Sequence, residues 1–339
     1  MIEAVHDLLE RFKTRGVGAS KEINPFWRAQ LAGFGALLKS GTKITPRHVQ
    51  KVMGYTSSRM RNGESNRDLE HWPRLMNAVE TRDTVGLGRA AEHAAILHFL
   101  GKRGLLDDYI AWADGLGLVS DLGLARMYWY ATRLRARLVE RQRADPQVFL
   151  EVGCGSGRFA MIMAKSGLVR HYILVDLPEM LLNAMLHTAE FLPGADIRFG
   201  QTPDLSAPGM VFWFLETDDI RKVPDRSVDV AVNFNSFMEM DEEVRDFYID
   251  QIYRAASARG LFYNVNRFQR EMTRRDGTSY DNNPLLYPYR ASDRIIEWET
   301  DDCQESCRSE QFVAPRSFSI SRIAEIGGAV GGHDVPSSP

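Results

Sequence analysis

A strand that runs straight into a glycine-rich turn and then a helix leaves a chain few folds to choose from. Residues 147–178, QVFLEVGCGSGRFAMIMAKSGLVRHYILVDLP, contain such a passage. Val148-Phe149-Leu150-Glu151-Val152 is an apolar run of strand length, glycines follow at 153, 155 and 157, and the apolar spacing from Arg158 to Lys165 predicts a helix. A second apolar run, Tyr172-Ile173-Leu174-Val175, ends in Asp176. Two buried strands joined through a helix predict an α/β fold with a mostly parallel sheet. Glycine tolerates positive φ and lets the backbone approach a ligand closely, while the free N–H groups at a helix start attract a carboxylate or phosphate. An acid at the end of the second strand, about twenty residues on, is placed to accept hydrogen bonds from ribose hydroxyls.

After Asp145-Pro146 the pattern alternates strand and helix. Strands are expected at 148–152, 172–176, 211–215, 228–234 and 259–265, and helices at 157–166, 178–191 and 241–257. A short run at 196–199 competes for third strand, but 211–215 is preferred because Glu216-Thr217-Asp218 follows it. Before Asp145 the periodicity is helical, near 2–14, 25–39, 45–54, 68–82, 88–101, 105–114 and 123–143. The division this implies is an all-α segment over 1–145, an α/β domain over 146–326 and a Gly-, Ser- and Pro-rich tail over 327–339, expected to be disordered. Residues 266–316, polar and aromatic, are too long for an idle loop and are expected to act as a lid or binding insert.

Charge separates the same two halves. Residues 1–145 carry 23 Lys and Arg against 16 Asp and Glu, and residues 146–339 carry 19 against 29. An acidic glycine-motif half with no lysine and arginine block argues against a nucleic-acid partner and for a small-molecule substrate. No run approaches the roughly 18 apolar residues of a membrane span, and the charged Met1–Gly16 segment is unlike a signal peptide, so a cytoplasmic protein is expected. Cys154, Cys303 and Cys307 are expected as free thiols with no metal framework. His71, His93 and His98 lack metal-ligand spacing, and the aromatic residues of the first half, Tyr128, Trp129 and Tyr130 among them, are expected in a core or a homodimer face.

An NAD-type turn reads G-x-G-x-x-G. Here the spacing is G-x-G-x-G, preceded by Glu151 and followed by Arg158-Phe159. At these residues the chain resembles the class I S-adenosylmethionine-dependent methyltransferases, whose first motif has the form E-x-G-x-G-x-G and whose second strand ends in an acid. The resemblance implies a Rossmann-like sheet behind the all-α segment. It implies S-adenosylmethionine held by Glu151, Gly153, Gly155, Gly157, Asp176 and Leu177, with Glu216, Thr217 and Asn235 completing the cofactor set. The segments YILVDLPEML, SVDVAVNFNSFMEM and LFYNVNRF, with YPYR downstream, are similar to the sugar O-methyltransferases of bacterial secondary metabolism and surface polysaccharides, over Val148 to Tyr289.

Ligands of open α/β sheets sit beyond the carboxyl ends of the strands, so the polar residues of 233–241 and 263–267 are expected to face the transferred methyl group. A sulfonium methyl is already reactive, and the protein's task is alignment and removal of a proton. No histidine occurs from Thr188 to Gly332, so a carboxylate must take that role. Glu239 is the first candidate, with Ser236 and Asn266 beside it as catalytic residues. Asp241, Glu242 and Glu243 stand behind it, though their position also suits a helix start that favours acids. Three readings stay open: methylation of a sugar or other hydroxyl, methylation of a guanidine or amine held by the same carboxylates, and a scaffold that has lost its chemistry.

Overall fold

The computed structural model describes residues 8, 11, 60, 63–83, 90–143, 145, 147–268, 270–273, 277–309 and 318–327 of the 339-residue chain. The helices expected near 25–39 and 45–54 and the tail from 328 lie outside these residues, and of 2–14 only Leu8 and Arg11 are described, both helical.

Among the described residues, the first half supplies the helices α1 (Trp72–Thr81), α2 (Ala90–Lys102), α3 (Leu106–Gly115) and α4 (Leu122–Glu140). Helix α4 starts where Asp121 accepts the Leu124 amide at 2.9 Å, which satisfies one of the donors that a helix start leaves open. Its buried residues Leu124, Ala131 and Leu138 recur every seven positions and form a single apolar stripe. Residues 68–71, expected in the first of these helices, instead close a short 3₁₀ turn, Asn66–Asp68, that leads into α1.

One sheet of eight strands follows, in the order β3-β4-β2-β1-β5-β6-β10-β9. The strands are β1 (Gln147–Val152), β2 (Val169–Asp176), β3 (Asp196–Phe199), β4 (Val211–Glu216), β5 (Val228–Phe234), β6 (Ala256–Arg267), β9 (Arg294–Thr300) and β10 (Ser319–Glu325). The first six pair in parallel, while β10 runs antiparallel to both β6 and β9. Both candidate third strands form. The buried run β4 lies beside β2 with Glu216 directly across from Asp176, whereas the half-exposed β3 is an edge strand outside it.

Helices α5 (Arg158–Ala164), α6 (Pro178–Phe191) and α7 (Glu242–Ala255) follow β1, β2 and β5. Alternation along the strands sends Phe149, Tyr172, Phe212, Val232 and Tyr263 to one face and Leu150, Ile173, Trp213 and Phe262 to the other. On the first face the buried residues of α1, α2 and α4 join those of α5, α6 and the sheet in one continuous cluster, so the change of periodicity at residue 145 is not a break in packing. Tyr130 and Trp129 belong to it, as expected of core aromatics. Arg133–Glu297 at 2.5 Å and Arg141–Glu325 at 2.5 Å also tie α4 to β9 and β10.

Residues 266–316 do not behave as one insert. After β6 the chain makes a hairpin, β7 (Arg270–Thr273) with β8 (Ser279–Asn282), then returns to the sheet as β9, turns through α8 (Asp302–Ser309) and re-enters between β6 and β9 as β10. A buried arginine at the centre of β10, Arg322, held by Asp293 at 2.5 Å, interrupts the apolar alternation by which that strand would have been read.

Candidate active site

Each glycine of the turn after β1 has a left-handed backbone, with φ of 74° at Gly153, 56° at Gly155 and 71° at Gly157, which is the region glycine enters without steric cost. Their surroundings differ. A Cβ on Gly153 would lie 1.9 Å from the Ser236 hydroxyl, so this glycine lets the loop after β5 rest on the turn. A Cβ on Gly157 would touch Ala184 at 3.4 Å, where α5 packs on α6. Around Gly155 the nearest atom is a methyl of Met180 at 4.0 Å, which leaves a bare backbone facing open space.

Asp176 closes one side of that space. Its carboxylate accepts the Gly155 amide at 2.7 Å and the Leu177 amide at 2.7 Å. Burial pushes its pKa up to about 7 against the pull of those amides, and the nearby charge of Glu239 adds to the rise. Leu177 is the N-cap of α6, and Pro178 begins the helix. Glu216 is gripped by Arg11, 2.8 Å away, whose guanidinium also lies 4.9 Å from the Phe199 ring. Thr217 starts the 3₁₀ turn that follows. Glu151 is not on this surface. It is 3% exposed, lies in β1, and accepts the Tyr172 hydroxyl from β2 at 2.8 Å. Desolvation lifts its pKa to about 8, so it carries a proton at neutral pH.

The loop after β5 meets this edge from the other side. Asn235 has φ of 58°, a strained value for a side chain, and donates its backbone N–H to Val265 at 2.8 Å. Its side-chain Nδ2 is buried without a hydrogen-bond partner among the described residues. Ser236 lies over Gly153, and Glu239 ends a single 3₁₀ turn, Phe237–Glu239, with its amide donated to Ser236 at 2.9 Å. Asp241 then caps α7, with Glu242 and Glu243 in the first turn, as the helix-start reading of those acids requires.

Asn266, expected at the transferred methyl, is 0% exposed, as is Asn233, and Asn264 is buried beside them. Its Nδ2 donates to Asn233 at 2.8 Å and to Asn264, and its Oδ1 accepts the Met238 amide at 3.0 Å. Asn233 in turn donates to the Val152 carbonyl at 2.7 Å and accepts the Phe237 amide at 3.2 Å. With its side-chain amide engaged at both ends, Asn266 ties β6 to the loop after β5. The alternation of Asn264 and Asn266 on one face of a buried strand was the available sequence signal.

Cys154 and Cys303 are buried, and the Cys307 side chain lies outside the described residues. His93 bonds Ser120 at 2.9 Å with its pKa lowered to about 4 by burial, and His98 bonds the Val79 carbonyl at 2.8 Å. No helix among the described residues is long and apolar enough to cross a membrane.

The family described as "Methyltransferase domain" matches residues 150–264, from β1 through the turn, Asp176 and the Glu239 loop to β6. This segment is an S-adenosylmethionine-dependent methyltransferase domain. No curated protein matches the chain. Among solved structures, the methyltransferase domain and its surroundings are similar to a 1,6-didemethyltoxoflavin-N1-methyltransferase from Burkholderia thailandensis (16% identity, 69% of this chain and 89% of that one, TM-score 0.39). Others are the magnesium protoporphyrin IX methyltransferase of Synechocystis PCC 6803 (12%, 63% and 88%, 0.38) and a methyltransferase from Aquifex aeolicus (15%, 56% and 88%, 0.34). The methyltransferase domain has features that fit its cofactor: the open backbone at Gly155, a carboxylate beside it, and the orphaned amide of Asn235.

Proposed function

We propose that this methyltransferase domain acts on a small polar metabolite, with a sugar hydroxyl as the acceptor class, and that Glu239 is the group that takes the acceptor's proton. One observation carries the reading: β2 and β5 both pair in parallel with β1, so Asp176 at the end of β2 and Glu239 in the turn after β5 lie at the same edge of the sheet. Gly153, Gly155, Asp176, Leu177 and Asn235 would hold S-adenosylmethionine, with Glu216 and Thr217 at the neighbouring strand end. The cofactor supplies an electrophilic sulfonium methyl. The chain's own part is then to hold the acceptor oxygen in line and to remove its proton at the Glu239 carboxylate, steps worth roughly 10²–10⁴-fold for a positioned general base.

The concentration of acids at this edge, Asp176, Glu216, Glu239 and Asp241 at successive strand and helix ends, supports a second reading in which the acceptor is a guanidine or amine whose cation the carboxylates bind. Residues 1–145 are proposed to cap the site and to carry a homodimer contact, which is refuted in its second part by a monomeric mass in light scattering. The assay that separates the acceptor readings offers methyl-labelled S-adenosylmethionine with deoxysugars and nucleotide sugars beside arginine, other guanidines and amines. Label on a sugar oxygen is expected. Label confined to nitrogen replaces the sugar reading with the second, and an absence of cofactor binding by calorimetry returns the domain to a scaffold.

A further inference from the structure

The turn that carries Glu239 has its amides held by the sheet, through Asn233 and Asn266. Its carbonyls are held by something else. Asn282, the last residue of β8, is 0% exposed and turns its amide onto this turn from the opposite side. The two Nδ2 protons reach the carbonyl of Phe237 at 2.9 Å and that of Met240 at 3.3 Å, the residues that bracket Met238 and Glu239. Tyr280, two residues earlier on the same strand, donates its hydroxyl to the same Met240 carbonyl at 2.8 Å.

The amide itself is fixed in orientation. Its Oδ1 faces the Arg245 Nη1 at 3.3 Å, and Arg245 is buried over the Tyr287 ring at 4.6 Å while pairing with Asp246 at 2.7 Å. Tyr287 also meets Phe237 edge-on, 6.1 Å between centroids. A donor-only partner on the Oδ1 side leaves the NH₂ end no orientation except toward the two carbonyls. The turn is therefore clamped at both ends by a strand more than forty residues away in sequence.

We propose that the β7–β8 hairpin is a positioning element for the acceptor-facing carboxylate, with Asn282 as its main contact and Tyr280 as its second. The inference rests on the role assigned above to Glu239 and deepens it. A carboxylate on a four-residue turn has no fixed place unless the backbone on both sides is held, and a misplacement of about 1 Å in a reacting constellation costs as much as 10²-fold in rate. Both ends of the Asn282 amide are taken up within the protein, by Arg245 on one side and by the turn's carbonyls on the other. It acts through the peptide bonds that flank Glu239.

The test uses the full chain, methyl-labelled S-adenosylmethionine and whichever sugar, guanidine or amine of the panel is labelled fastest. Asn282→Ala is expected to lower kcat by about 10- to 100-fold, to change KM for the acceptor much less, and to leave calorimetric affinity for S-adenosylhomocysteine unchanged. Placed in a Glu239→Gln background, the same substitution is expected to add almost nothing, because residues acting as one unit are not additive. Full kcat in Asn282→Ala, or an undiminished loss in the Glu239→Gln background, overturns the clamp while leaving the carboxylate's role intact. Full activity in Glu239→Gln alone overturns that role and the clamp with it. If Asn282→Ala does not fold, Tyr280→Phe decides: a loss of kcat with an unchanged unfolding midpoint and faster amide exchange at 237–240 supports the clamp, and unaltered turnover refutes it.

Discussion

The two sides of the proposed site are built in opposite ways. The cofactor side, from β1 through Asp176, is made within one stretch of about thirty residues, and its contacts are backbone amides and bare glycine surfaces. The proposed acceptor side, Asn235 to Asp241, is short, with a single 3₁₀ turn for regular structure. Asn233 and Asn266 from the sheet, and Asn282 and Tyr280 from the hairpin, hold it in place through side chains. A recognition surface of backbone geometry suits a cofactor that never changes, whereas a loop pinned by side chains is free to vary with the acceptor while the fold is kept.

If the sides are this separate, substitutions break one and spare the other. The largest effect is expected from Gly155→Val, which fills the open space over the turn with a side chain at positive φ and abolishes cofactor binding. Circular dichroism should show the fold retained, and calorimetry with S-adenosylmethionine is the measurement. Unchanged affinity would remove the role given to the turn. A smaller loss, about 10²-fold or more in kcat, is expected from Glu239→Gln, with cofactor affinity near that of the parent. A variant that lost cofactor affinity as well would show that the sides are not independent.

The smallest effect concerns the acids Glu151 and Asp176. Glu151 has a folded pKa near 8 and an ordinary unfolded value of 4.5, so between these the folded chain holds a proton that the unfolded chain has released. The folded state then binds more protons, and its stability falls as pH rises through that window. Asp176, raised to about 7 from 3.8, adds to the fall with the same sign. Glu151→Gln removes one of the two contributions and is expected to flatten the decline of the unfolding midpoint between about pH 5 and pH 8. An unchanged slope would mean that Glu151 is ionised in the folded chain.

How well each side was legible follows from where its contacts come from. The turn was read residue by residue, since G-x-G-x-G after a buried strand fixes both conformation and what approaches it. The partner strand of β2 was also within reach: VFWFLE is apolar throughout and ends in an acid, and a run of that kind goes to the middle of a parallel sheet while IRF goes to its edge. The surroundings of Asn266 were not legible in the same way, because an asparagine at a strand end looks alike whether it faces a ligand or another asparagine. Its partners Asn233 and Asn264 were in plain view, but their mutual satisfaction depends on the register of β5 against β6, Asn233 opposite Asn264.

Order and spacing alone determined the mostly parallel α/β sheet, the helices ahead of it, the glycine turn with Asp176, and the absence of histidine from Thr188 to Gly332, because each of these is local or counted. Only the tertiary structure decided that Glu151 is buried against the Tyr172 hydroxyl, that Arg11 reaches Glu216, and that the chain beyond β8 returns to the sheet as β9 and β10. The physical reason is common to all three. A buried polar group must find its partner wherever the packed chain presents one, and for Glu239's turn that partner lies on a strand with which it shares no sequence neighbourhood.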